Sequence, residues 1–392
     1  MSPDVPMHDV TIVGGGPGGL YAAGRLAARG YDVAVLEEHG TFGQPVHCTG
    51  VLADEVFDEL QIPRDAVLNS LSTARFHSPS GLQISYTMHP TEAVVIDRLI
   101  FDRLLSTRAR EAGAQLMSGS RATAIEVSRE SACVQIEGRG SVRSRAVVLA
   151  CGANYSFQRR LGLGMPSIYL GSAQRELPCT RGGDVELYFG SDAAPRGFAW
   201  AVPVARPSGP HVRIGLMSEG NAAQHFPRLL ETVGSTWGVS SLSGELPRRR
   251  LLPLGAIRRT YGDRLVAVGD AAGLVKPTTG GGIYYSIVSA GIAAEVLDDA
   301  LRRDDLRASR LAPYESRWKK RLVPEFRAQL ALRMLAQRMS DEELDALFRL
   351  AQSDGIMPIV YRTARFNRHR DLIVALFRHP PARRLLFRRL VG

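Results

Sequence analysis

At 392 residues, 45% of them hydrophobic, the chain is long for a single core, and two or three domains are expected. No run of about 18 uncharged apolar residues occurs, which argues against a membrane-spanning helix; Cys48, Cys133, Cys151 and Cys179 form no CxxC pair and no Cys/His cluster, which argues against a disulfide framework or a metal site. The net charge of +10 is concentrated at one end, with 21 Arg/Lys against 10 Asp/Glu from residue 301 onward.

In chain order, "HDVTIVGGGPGGLYAAGRLAARGYDVAVLEE" predicts strand, tight turn, helix and strand, a βαβ unit that opens a parallel sheet. "MSPDVPMHDV" lacks the basic, apolar, small-residue order of a signal peptide, so a cytoplasmic protein is expected. Apolar spacing from Leu99 to Leu116 predicts a helix, and "AVVLACGA" a buried strand ending at Gly152. The runs "SIYLGSAQREL", "DVELYFG", "GFAWAVPV" and "HVRIGLM" predict an antiparallel sheet. "RLVAVGDAAG" then returns to a strand and turn, followed by the helix "GGGIYYSIVSAGIAAEVLDDAL" and an arginine-rich helical tail. The expected fold class is α/β (α+β). A discontinuous Rossmann-type domain covers 1–70, 98–160 and 258–300, an inserted sheet domain 71–97 and 161–257, and a basic helical region 301–392.

Gly14, Gly16 and Gly19 form G-x-G-x-x-G between a strand and a helix, with Glu37 ending the next strand, placed to bind ribose hydroxyls. Backbone N–H groups at such a helix start suit a pyrophosphate. A second strand–turn–helix element carries Asp270, an acceptor for a polyol, and the glycine cluster Gly280, Gly281 and Gly282. Two such elements about 250 residues apart fit FAD better than NAD. Arg98, at a helix start, can pair bidentately with the pyrophosphate.

G-x-G-x-x-G, then P-x-x-C-x-G at Pro45–Gly50, then "GDAAGLVKPTTGGGIYYS", resembles the geranylgeranyl reductase family within the p-hydroxybenzoate hydroxylase-like flavoproteins. The family's Y-x-W-x-F-P motif resembles Phe198-Ala-Trp200-Ala-Val202-Pro203, with Tyr replaced by Phe198 and Phe by Val202. The resemblance spans nearly the whole chain. It implies that Gly18, Glu37, Arg98 and Asp270 contact FAD, with Ala122, Gly282 and Ile283 also placed there, and that Cys48, Thr49 and Gly50 line the flavin ring. It also implies reduction of C=C bonds in a geranylgeranyl or polyprenyl chain borne by a lipid, quinone, diphosphate or pigment.

Alkene reduction needs a hydride and a proton. A thiol with an unperturbed pKa of about 8.5 is a usable acid. Cys48 is therefore expected to position the reaction or to donate the proton, with His47 as rival donor. Phe198 and Trp200 share a strand face, with Tyr169, Tyr188 and Phe189 on neighbouring strands, and together suit a hydrocarbon chain. Pro203 joins them through the motif, and Lys276 and the tail arginines could receive an anionic head group.

Cys151 stands before Gly152 where the wider hydroxylase-like group often has Asp, so direct reduction by NAD(P)H is in doubt and ferredoxin is an alternative donor. A monooxygenase or halogenase on the same scaffold is one rival reading, although no lysine precedes Lys276, where halogenases use one. A non-catalytic flavoprotein that binds lipid is another. The tail "LIVALFRHPPARRLLFRRLVG" adds an expectation of peripheral contact with an anionic membrane. No nucleic-acid module accompanies the arginines, so nucleic acid is not an expected partner.

Overall fold

The computed structural model describes residues 7–87, 92–239, 245–353 and 355–387. β1 (Met7–Val13) and β2 (Val33–Leu36) pair in parallel, and α1 (Pro17–Ala27) connects them. All of β2 and the last four residues of β1 are buried, which explains the apolar run of β2 and that of β1, interrupted only by Thr11. Gly14 has φ +110°, and a Cβ there would stand 2.4 Å from the carbonyl oxygen of Ala150. Only glycine permits that approach.

Next come β3 (Val51–Ala53), α2 (Glu55–Glu59), β4 (Val67–Leu71), β5 (Thr73–His77), β6 (Gln83–Thr87) and β7 (Ala93–Ile96). The segment 71–97 is divided between two sheets: β3, β7 and β4 form a small one, whereas β5 and β6 join a larger one. α3 (Arg98–Glu111) starts at Asp97, whose carboxylate accepts from the N–H groups of Leu99 and Ile100. The helix is shorter than its apolar spacing suggests. Gly113, at φ +105°, turns the chain, and Leu116 belongs to β8 (Gln115–Met117). β9 (Ala122–Val127), β10 (Ala132–Ile136), β11 (Gly140–Leu149) and α4 (Ser156–Arg160) follow.

β12 (Tyr169–Pro178), β13 (Val185–Tyr188), β14 (Phe198–Arg206), β15 (Gly209–Ser218), α5 (Phe226–Trp237) and β16 (Arg248–Pro253) build the inserted region. Its sheet runs β16-β12-β15-β14-β13-β5-β6. It is not wholly antiparallel, because β5 arrives from an earlier segment and pairs with β13 in parallel. Alternation divides β14 cleanly. Ala199 and Ala201 pack with the α5 residues Leu229, Val233 and Trp237, while Trp200 and Val202 belong to a separate core on the other face.

β17 (Tyr261–Gly262), β18 (Leu265–Ala267) and α6 (Ile283–Arg302) return to the first sheet, ordered β17-β18-β11-β1-β2-β8, with β9 and β10 attached to β11. Its β18-β11-β1-β2-β8 portion is parallel, as a nucleotide-binding sheet requires. The tail comprises α7 (Ala308–Ala336), α8 (Asp341–Ser353), α9 (Ile356–Thr363), α10 (Arg370–Arg378) and α11 (Pro380–Phe387). It is tied to the sheet by Tyr314, whose hydroxyl donates to Ala267 O at 2.6 Å, and by Trp318, whose Nε1 donates to Thr260 at 2.9 Å. Residues 388–392 of the basic tail lie outside the described residues. Among the described residues no helix is long and apolar enough to cross a membrane.

Candidate active site

The carboxyl ends of β1, β2 and β18 open onto a cavity of about 910 Å³. Gly14, Gly16 and Gly18 line it, and α1 starts there with no side-chain cap on its N–H groups. A Cβ on Gly16 would meet no atom of the chain within 4 Å, so this stretch of backbone faces open space. Gly19 does not line the cavity: a Cβ there would stand 2.0 Å from Gly14 O, which makes it a packing residue. Glu37 is buried at the end of β2, accepting from Gly15 N at 2.8 Å and contacting His39 Nδ1 at 2.5 Å.

Ala122, Asp270, Gly280, Gly281, Gly282 and Ile283 line the same cavity. Burial pushes the Asp270 carboxyl above its usual range, against the pull of the Arg250 and Arg98 charges. Arg98 also lines the cavity. One edge of its guanidinium is engaged by Asp102, with Nε and one terminal nitrogen donating at 2.8 and 3.0 Å. Burial alone would weaken the Arg98 cation, but Asp102 and the neighbouring Cys48 raise its pKa and hold the charge.

Cys48, Thr49 and Gly50 form a turn on the cavity wall. The N–H of Gly50 donates to Cys48 Sγ at 3.2 Å, and Thr49 Oγ1 donates to Gln174 Oε1 at 2.7 Å. His47 also lines the cavity, but its Nε2–H donates to Arg248 O at 2.9 Å, and burial lowers its pKa. Its ring proton is therefore engaged with a carbonyl, which counts against His47 as the ready acid. Burial pushes the Cys151 thiol, also on the wall, up to about 11.

The apolar end of the cavity is formed by Phe198, Trp200 and Val202 of β14, Val185 and Leu187 of β13, and Phe76 of β5. The rings of Phe198 and Trp200 are 5.7 Å apart. Pro203 is the next position in the alternation and does not line the cavity; its carbonyl accepts from Asn69. Tyr169, Tyr188 and Phe189 do not line it either. Tyr188 packs with the α5 core and bonds to Glu186, while Val185 and Leu187 take the cavity side of the same strand.

Lys276 also differs from the exposed head-group receptor expected of it. It lines the cavity, yet it is 3% exposed, and its Nζ donates to Phe366 O at 2.6 Å. Burial lowers its pKa to about 7, opposed by Glu325, so it is no exposed cation awaiting a phosphate. The wall it touches includes Ala364, Phe366, His369 and Ile373 from the tail. Nothing in the spacing of those residues foretold it, because the contact joins segments about ninety residues apart.

The chain matches the pyridine nucleotide-disulphide oxidoreductase family over residues 8–172. It is 32% identical over 379 residues to digeranylgeranylglycerophospholipid reductase 2 of Methanopyrus kandleri, covering 90% of this chain and 92% of that one. The chain belongs to the geranylgeranyl reductase family. A second relative, the digeranylgeranylglycerophospholipid reductase of Methanocaldococcus jannaschii, is 30% identical over 354 residues, covering 87% of this chain and 90% of that one. The solved geranylgeranyl bacteriochlorophyll reductase-like protein of Thermoplasma acidophilum has the same fold, with a TM-score of 0.84 at 24% identity over 98% of each chain. As a geranylgeranyl reductase-family flavoprotein, this protein is an oxidoreductase that uses FAD. The cavity fits that cofactor. Uncapped N–H groups beside open space at Gly16 suit the pyrophosphate, and the half-buried Asp270 carboxyl group on the cavity wall suits the hydroxyls of a ribityl chain.

Proposed function

We propose that this protein hydrogenates C=C bonds of a geranylgeranyl or longer prenyl chain carried on a lipid. The observation that carries this reading is the continuity of one cavity, in which the apolar wall of Phe198, Trp200, Val202 and Leu187 shares its space with the cofactor turns and the Cys48 turn. Gly14–Gly18, Glu37, Asp270 and Gly280–Ile283 are the residues that would hold FAD. Reduced FAD supplies the hydride for one alkene carbon.

Cys48 Sγ supplies the proton for the other carbon. Arg98 neighbours Cys48, its guanidinium held in place by Asp102. Val185, Leu187 and Val202 exclude water and hold the alkene against that turn. The basic tail, 21 Arg/Lys against 10 Asp/Glu, faces an anionic lipid surface, where each cation adds about 1 kcal/mol. Sedimentation with vesicles that contain or lack anionic lipid tests that contact.

The deciding experiment is anaerobic. The flavin is reduced with dithionite, a geranylgeranyl lipid is added, and flavin reoxidation is followed together with product mass. Reoxidation with a gain of about two mass units per bond, the mass of a hydride plus a proton, supports the reading. Stable reduced flavin, followed by substrate oxygenation once air enters, would replace it with a monooxygenase.

A further inference from the structure

Arg213, in the middle of β15, is 2% exposed between Val212 and Ile214, which are wholly buried. A guanidinium there is costly unless its donors are met. Its Nε donates to Glu176 Oε2 at 2.8 Å, and one terminal nitrogen donates to Thr49 O at 2.6 Å and to Ile96 O at 3.2 Å. Ile96 N in turn donates to Gly50 O at 2.8 Å. The cation therefore sits where the Cys48 turn meets the end of β7. Gly50 has φ +69°, and a Cβ there would stand 2.5 Å from the Arg213 nitrogen, so the turn is glycine where the guanidinium presses against it.

A second route leads from the same cation to Cys48. Glu176 also takes Arg206, at 2.7 and 2.9 Å, and Arg206 bonds in addition to Asp97. Asp97 caps α3, whose first residue, Arg98, faces Cys48. On the neighbouring strand β12, Gln174 Oε1 accepts from both Thr49 and Trp200, at 2.7 and 3.2 Å. What the guanidinium adds is its grip on two carbonyls outside the sheet.

We propose that Arg213 is the positioning residue of the Cys48 turn, fixing the reacting thiol relative to the sheet that lines the prenyl cavity. The Arg213–Glu176–Arg206–Asp97 chain locks that relation from the α3 side. The proposal rests on Cys48 being the group that meets the alkene.

The test uses flavin-loaded protein and the variants Arg213→Met, Arg213→Lys and Gln174→Met. Two quantities are read: the iodoacetamide alkylation rate of Cys48, resolved by peptide against Cys133, and kcat and KM for anaerobic prenyl reduction. In Arg213→Met, Cys48 alkylation rises and kcat falls, each on the order of 10-fold, while Cys133 and KM stay nearly unchanged. Arg213→Lys recovers part of both, since it keeps the charge but loses the fork. Gln174→Met, which removes the side-chain hold on Thr49, moves both in the same direction by less, and Arg213→Lys decides the matter if Arg213→Met does not fold. Unchanged Cys48 alkylation in the folded variants overturns the proposal, even where thermal stability falls. Altered alkylation in a protein that reduces no prenyl chain upholds the positioning role and removes the functional reading instead.

Discussion

Lys276 donates to the carbonyl oxygen of Phe366 at 2.6 Å, tying the turn that leads to Gly280–Gly282 to a tail segment 90 residues further on. His369 stands in the same cluster. Burial and the Lys276 charge lower its pKa to about 3, against the pull of Phe366 O, so the imidazole is neutral at physiological pH. One wall of the cavity thus depends on the carbonyl of Phe366, which accepts from Lys276 Nζ at 2.6 Å and from His369 Nε2 at 3.0 Å.

That contact gives stability a pH dependence. Lys276 has a pKa of about 7 when folded, against 10.5 for an unperturbed lysine. Between those values the unfolded chain binds a proton that the folded chain lacks, so stability from this group rises with pH and its penalty is greatest below pH 7. Thermal unfolding of wild type and the Lys276→Met variant, compared at about pH 7 and pH 10, should show wild type gaining on the variant as pH rises. Parallel profiles would contradict the assignment.

Gly16 separates cofactor binding from folding. Its φ of −81° lies in the ordinary region, and a Cβ there meets nothing in the chain. Gly16→Ala should therefore unfold at the temperature of the flavin-free wild type. Its flavin affinity should fall by about 10-fold or more, a loss of about 1.4 kcal/mol. Unchanged flavin retention in gel filtration would place the pyrophosphate elsewhere.

For Cys48→Ala the expectation is retained flavin with anaerobic turnover lowered on the order of 10²-fold, the scale of a lost general acid. Flavin absorbance and single-turnover reoxidation separate the two. Full turnover would reduce Cys48 to a packing residue.

Leu187 tests the prenyl cavity. Leu187→Trp adds bulk on the face that Phe198 and Trp200 share, with an overpacking cost of about 1–3 kcal/mol. Turnover of a geranylgeranyl lipid should fall sharply while a geranyl analogue is still reduced. Equal losses for both chain lengths would mean that the chain runs along another wall.

Much of the cofactor end was legible in the sequence, because its signals are local. Gly14 and Gly16 lie within a few residues of the helix they start, and Glu37 directly follows the adjacent strand. Period-two alternation likewise placed Phe198 and Trp200 on one face. It could not say which face of β13 turned inward. Val185 and Leu187 line the cavity where the eye goes to Tyr188, because a strand's facing is set by its pairing partners β5 and β14.

The parallel nucleotide-binding sheet, its two glycine turns and the family could all be read from local sequence, since each rests on short stretches whose backbone geometry admits few residue types. Three-dimensional packing is what buries Lys276 rather than offering it to a head group, sets Asp102 against Arg98, and brings Arg213 to Thr49 from 164 residues away. These are meetings of segments remote in sequence. Burial and charge partners arise only when such segments pack, so the state of an ionisable side chain becomes readable after the fold is known.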